Sequence, residues 1–225
     1  MTKNEYHEIE SYMLSQKLDS AHDEHHVYRV LYAALDIAVY EEKVDEDVLI
    51  TACLLHDIGR EQQFLDENVC HALAGGQMAY DYLISRNWPE AKAQHVKECV
   101  STHRFRSAGP PQSIEAKILF DSDKLDVAGA MGIARTLIYQ GQVDARLYRV
   151  DENGYIITKK NEKEDSTSFF EEFNYKLKNI YNTFYTKRAK EIAEKCRQNA
   201  LDFYSGIHNE VIENFHNGKK HLKFD

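Results

Sequence analysis

Over most of its length the chain places apolar residues at the spacing of helices. Val27, Val30, Leu31, Ala34, Leu35 and Ala38 recur at intervals of three and four, one stripe on a helix that Asp19-Ser20 is positioned to cap. Val48, Leu49, Ala52, Cys53 and Leu55 make a second stripe, which Gly59 stops just after His56-Asp57. Asn68 stands as the cap of a third helix carrying Leu73, Met78, Ala79, Tyr82 and Leu83, in which Gly75-Gly76 reads as close helix packing. Pro89 suits the first turn of a fourth, reaching about His103. After the loop Gly109-Pro110-Pro111, a helix opens near Ser113, carries Ile114, Ile118, Leu119 and Leu125, and runs towards Tyr139 through Gly129 and Gly132.

The period changes between Gly141 and Ser168. Leu147–Val150 and Tyr155–Thr158 flank Asp151-Glu152-Asn153-Gly154, the pattern of a short hairpin around an Asn-Gly turn. The mixed charges of Lys159–Asp165 read as a solvated loop. Helical spacing returns at Phe169, Phe173, Leu177, Ile180 and Phe184, and continues through Ile192, Ala200 and Phe203 towards Ile212, with a polar, fraying end from Asn214. The pattern predicts one all-α domain over 1–225, a helical bundle with a small β-hairpin or loop insertion near 141–168 and C-terminal helices over 169–213.

Composition narrows the class. With 225 residues, 43% hydrophobic, 11% aromatic and 29% charged, the chain is globular rather than disordered. It has 28 Lys+Arg against 37 Asp+Glu, a net charge of −9. That balance argues against binding polymeric nucleic acid or an anionic membrane surface. No run approaches the ~18 apolar residues of a membrane span, and the first residues lack a signal-peptide pattern. Cys53, Cys70, Cys99 and Cys196 show no C-x-x-C spacing and are too sparse for a disulfide framework. The expectation is a cytoplasmic protein with reduced thiols, and it leaves room for a homodimer.

The chemistry concentrates in Leu55-His56-Asp57-Ile58-Gly59, at the end of an apolar helix. Neighbouring side chains differ by about 100° in direction, so His56 and Asp57 can both reach one ion beside the helix terminus. A polar helix end stopped by glycine is the plainer reading. Against it, a buried Asp that is neither paired nor coordinated is costly. Two further groups stand in order: His22-Asp23-Glu24-His25-His26, followed by Val27-Tyr28-Arg29-Val30, and Asp121-Ser122-Asp123-Lys124-Leu125-Asp126. The first has the outline of a helical zinc-protease motif, but Asp23 stands where that chemistry needs the longer Glu. His25, His95, His208, His216 and His221 read as surface residues.

A His three residues before Arg-Val, then His-Asp-Ile-Gly, then a small residue–Asp–basic–Leu motif, resembles the HD-domain superfamily of metal-dependent phosphohydrolases. The resemblance runs from about Asp19 to Arg135, with Ser122 where alanine is usual. A fainter likeness, to bacterial HD hydrolases and nucleotide pyrophosphohydrolases, extends over Phe169–Arg197. It implies an HD-type helical fold and His26, His56, Asp57 and Asp123 as metal ligands. It also implies one or two divalent ions per chain (Mn, Mg, Co, Ni, Zn or Fe), among which imidazole and carboxylate ligands do not choose. The substrate implied is a small phosphate ester or phosphoanhydride such as a nucleotide, hydrolysed with metal assistance. His71 and His103 are catalytic candidates that stand in the order of a second metal position, or else contact substrate phosphate or water. Asp121 is expected beside the ligands or at the surface. Lys124 is a catalytic candidate, and Arg29, Arg60, Arg104 and Arg106 are candidates for phosphate binding, although Arg29 is equally placed to orient an acidic ligand. Two rival classes remain: an HD-fold di-iron oxygenase using the same six ligands, and a non-catalytic metal- or nucleotide-binding module.

Overall fold

A computed structural model describes residues 1–16, 23–104, 109–159 and 167–222. The architecture is all-α. The helices are α1 (Lys3–Leu14), α2 (Glu24–Ala38), α3 (Glu46–Leu55), α4 (Arg60–Leu65), α5 (His71–Ser85), α6 (Glu90–Thr102), α7 (Ile114–Leu125), α8 (Gly129–Gln142), α9 (Phe169–Tyr175) and α10 (Lys187–Lys219). A 3₁₀ segment, Leu177–Asn182, follows α9. Among the described residues no helix is long and apolar enough to cross a membrane.

The chain packs as two compact units. The first comprises Met1–Asp126 and Phe184–Lys190; the second, Val127–Thr183 and Glu191–Asp225. In the first, α3 is the central helix: every residue from Thr51 to Leu55 is buried, and it packs against α1, α2, α5, α6 and α7. A helix enclosed this way has no solvent face to keep polar, which explains its near-continuous apolar run. Asp45 caps it, accepting from the Val48 N–H at 3.2 Å. α2 shows the expected stripe, with Val27, Val30, Leu31 and Ala34 buried. Its cap is Asp23, which accepts from the His26 N–H at 2.8 Å. The expected cap, Asp19-Ser20, lies outside the described residues, as does His22.

Three boundaries depart from the periodicity. α5 starts at His71 rather than Asn68, because Asn68 and Val69 turn back onto Asp66. The helix from Ser113 ends at Leu125 instead of running to Tyr139. Gly129 there has φ +78, a left-handed conformation that α-helix cannot continue through. The run from Phe169 is also broken, by the 3₁₀ segment and the stretch 183–186. Asp121 fixes that break by accepting from the N–H groups of Tyr185 (2.9 Å) and Thr186 (2.7 Å) and from the Thr186 hydroxyl (2.7 Å). The final helix continues past Asn214 to Lys219.

The second unit has its own core of Ile133, Ile156, Phe169, Phe170, Phe173, Leu177 and Ala200. Its hairpin is smaller than expected: one antiparallel bridge, Val150 to Ile156, closed around Gly154 at φ +86. Two backbone bonds join the arms, from Asp151 N–H to Tyr155 O and from Ile157 N–H to Arg149 O, both at 2.9 Å, and beyond them the chain turns to α9. Leu147 O accepts from the Phe169 N–H at 3.1 Å, and Arg149 pairs with the buried Glu171 of α9.

Gly59 and Gly75 bring the turn after α3 onto α5. A Cβ at Gly59 would lie 2.2 Å from His71 O and 2.5 Å from Gly75 N. Both obstacles are backbone and cannot rotate away. Gly59→Ala is therefore expected to destabilise the fold by about 2–4 kcal/mol, read as a lowered urea midpoint with an unchanged slope.

Candidate metal centre

Six side chains from five different segments meet inside the first unit. His26 comes from the first turn of α2, and His56 and Asp57 from the turn that ends α3. His71 opens α5, His103 closes α6, and Asp123 lies on α7. His26, His56, Asp57, His71 and His103 are all at most 1% exposed. His26, His56 and Asp123 offer ligand atoms within 4.8 Å of one another, and so do Asp57, His71 and His103.

Asp57 joins the two groups. Its Oδ2 lies 3.6 Å from both His26 Nε2 and His56 Nε2. Its Oδ1 lies 3.4 Å from His71 Nε2 and 3.6 Å from His103 Nε2. These separations exceed hydrogen-bond length, and among the described residues neither oxygen accepts a hydrogen bond. His71 Nε2 is likewise buried without one. A buried carboxylate in this condition is stable only beside positive charge.

The outer nitrogen of each ring reveals where its lone pair points. His56 Nδ1 donates to Cys53 O at 2.8 Å and His103 Nδ1 to Val100 O at 2.6 Å, since a carbonyl can only accept. His26 Nδ1 donates to Asp126 Oδ2 at 2.7 Å. In the neutral rings Nε2 is then the bare, inward-facing nitrogen, the form a metal ligand needs. His26 Nε2 and His56 Nε2 stand 3.2 Å apart. Two lone pairs at that distance repel unless one ring takes a second proton or a cation lies beside both. The donor set therefore fits a divalent ion.

Electrostatics favour the same forms. Burial pulls His56 down to about 4 and His71 to about 2, so both are neutral near pH 7. Burial would raise Asp57, but the Arg60 guanidinium and His56 outweigh it and hold it well below the carboxylate range. Lys124 and His103 do the same for Asp123.

Each cationic candidate among the described residues is engaged. Arg60 Nε lies 3.0 Å from Asp57 Oδ1, Arg104 reaches His71 Nδ1 at 2.8 Å, and Lys124 Nζ sits 2.7 Å from Asp123 Oδ2. Arg29 grips Asp126 with two nitrogens, Nε at 2.6 Å and the second at 3.0 Å. Arg29 thus meets an acid that itself bonds His26, not one of the expected acidic ligands. Arg106 lies outside the described residues. Asp121 is fully buried and is used to hold Tyr185 and Thr186, neither reaching the cluster nor lying at the surface. His95 is half-buried against Glu115, at 3.1 Å, whereas His25 is exposed.

Sequence reasoning missed the use of Asp126, which orients His26. The available signal was its spacing from Asp123: three residues on places it on the same helix face. Gln63, whose Oε1 lies 2.5 Å from His71 Nδ1, carried no signal.

Asp126→Asn is expected to weaken metal binding about 10–100-fold, measured by calorimetric titration, because the amide can present its donor and leave His26 in the wrong tautomer. In the metal-free protein, stability should fall as pH drops from about 6.5 through about 4. Over that range the unfolded chain protonates histidines that burial keeps neutral in the fold, His56 among them at about 4. Asp57 and Asp123, depressed in the fold, add a loss at still lower pH in the same direction. Urea midpoints between pH 7 and 4 test this.

Comparison with known proteins places this arrangement. Residues 24–128 match the family model of the HD domain. The Bacillus subtilis protein YpgQ is 30% identical over 199 residues, 85% of each chain. The crystal structure of YpgQ in complex with ADP superposes with a TM-score of 0.69 at 25% identity, covering 92% of this chain and 97% of that one. A predicted HD superfamily hydrolase from an uncultured Thermotogales bacterium gives a TM-score of 0.60 at 27% identity, covering 92% of both. With the His56-Asp57 pair at its centre and these relatives along nearly its whole length, the chain belongs to the HD-domain superfamily.

Proposed function

We propose that this protein is a metal-dependent phosphohydrolase acting on a small phosphate ester or phosphoanhydride, with a nucleotide as the favoured substrate. The observation that carries the reading is Asp57, buried and without a hydrogen bond, facing two histidines through each oxygen. His26, His56, Asp123 and Asp57 Oδ2 would hold one divalent ion; Asp57 Oδ1, His71 and His103 would hold a second or face the substrate. When bound, such an ion polarises a phosphoryl oxygen and brings the pKa of a coordinated water towards neutrality.

The chain supplies the rest. Asp57 and Asp123 stay ionised and the His56 and His71 imidazoles stay neutral, so these four ligands need no preparatory proton loss at pH 7. Arg60, Arg104 and Lys124 surround the cluster with fixed positive charge, which matches the charge spread over the oxygens of a phosphoryl group in transfer. The preference for a nucleotide is supported by the ADP complex of YpgQ, a property of that relative.

The test is to strip the protein, reload it with each of several divalent metals, and screen nucleotides and generic phosphate esters for phosphate and pyrophosphate release. Metal-dependent release is expected. Asp57→Ala and His56→Ala should lose both metal and turnover, by about 10³-fold or more, with helical circular dichroism unchanged. Two irons per chain with oxygen uptake would favour the oxygenase instead. Tight nucleotide binding without turnover under every metal would favour a binding module.

A further inference from the structure

The two halves of the centre are not equally ready for an ion. In the half formed by His26, His56 and Asp123, both imidazoles are locked with Nε2 bare, by Asp126 and by Cys53 O. Its neighbouring cation, Lys124, sits on Asp123 Oδ2 and leaves Oδ1 facing His26 at 3.6 Å.

In the other half, guanidinium groups occupy the donors. Arg60 Nε lies 3.0 Å from Asp57 Oδ1, the oxygen directed at His71 and His103. Arg104 lies 2.8 Å from His71 Nδ1. A guanidinium can only donate, so this contact needs the Nδ1 lone pair and puts the ring proton on Nε2. In that tautomer His71 directs a hydrogen, not a lone pair, at Asp57 Oδ1. Gln63 Oε1, 2.5 Å from the same Nδ1, selects the opposite tautomer, which bares Nε2. Arg104 also reaches Gln63 Oε1, at 3.3 Å, and so has an alternative partner when His71 turns its proton outward. His71 is therefore poised between a form that excludes a metal and a form that binds one.

Resting on the metal-centre reading above, we infer that the His71–His103 half accepts its ion only together with a phosphate group. A phosphate is the natural partner for two guanidiniums, through charge-assisted and bidentate hydrogen bonds. Drawing Arg60 off Asp57 frees Oδ1, and drawing Arg104 off His71 leaves Gln63 to hold the proton on Nδ1. The metal-binding tautomer then prevails. Linkage makes the effect mutual: phosphate tightens the second ion, and the second ion tightens phosphate.

The experiment is equilibrium dialysis of the stripped full-length protein against Mn²⁺, with inorganic phosphate or with chloride at matched ionic strength. Bound metal is counted, and electron paramagnetic resonance distinguishes isolated from coupled ions. Wild type is expected to bind about one ion per chain in chloride and about two in phosphate, with the second tightened at least about tenfold. Arg104→Gln and Arg60→Gln should each take up a second ion in chloride. Two ions of equal affinity in chloride, or a second ion indifferent to phosphate, would overturn the inference. A folded Arg104→Gln that still binds only one ion in chloride would also overturn it. If a variant fails to fold, judged by circular dichroism, the wild-type comparison alone decides. Failure to bind any ion is a separate result, which removes the metal-centre reading itself.

Discussion

Everything in the first unit is arranged around one buried carboxylate. Asp57 lies in the interior with both oxygens beyond hydrogen-bonding distance of the four histidines that face it. Unpaired, such a charge would be among the most destabilising groups a core could contain. Arg60 supplies part of the compensation, and the donor set around Asp57 fits a cation that would supply the remainder. The helices are then best understood as the means of bringing histidines from four segments to one point. α3 can be wholly apolar up to Leu55 because its polar end, His56-Asp57, turns into this cluster rather than into water.

Backbone detail sets the precision of that convergence. Asp23 caps α2 through the N–H of His26 itself, so the capped turn and the cluster share one residue. Gly59 and Gly75 let the turn behind Asp57 approach the start of α5, where His71 stands. His56 and His103 each bond a carbonyl three residues back in their own chain, which fixes their rings without help from any distant element. His26, at the start rather than the end of its helix, uses Asp126 instead. Position on the helix therefore decides whether a ring is oriented locally or from across the fold.

The sequence made the all-α class and the grouping of these histidines and aspartates legible because both depend on local spacing and on residue types with few other uses. The stripe on α2, the apolar run of α3 up to Leu55 and the reach of α6 towards His103 follow from local spacing and helix-end signals. The breaks did not. Gly129 was visible, but whether a glycine bends a helix or merely packs in it depends on its φ. The interruption after the 3₁₀ segment depends on Asp121, sixty-four residues away from Tyr185 and without a sequence mark of that partnership. Long-range pairing also left the use of Arg29 open between two alternatives, because its partner Asp126 is ninety-seven residues distant.

Asp121 has a practical consequence for dissecting the molecule. The stretch matching the family model ends at residue 128, which suggests a natural place to cut. Yet Asp121, inside that stretch, is fully buried and receives its hydrogen bonds from Tyr185 and Thr186, beyond the cut. Residues 184–190 are a piece of the first unit delivered from the far end of the chain, and Arg188 adds a two-nitrogen grip on Asp36 of α2. A fragment ending at the family boundary would keep every residue of the metal cluster while leaving an interior acid without its donors. The first compact unit is thus discontinuous in sequence, closed by a segment that lies beyond the family boundary.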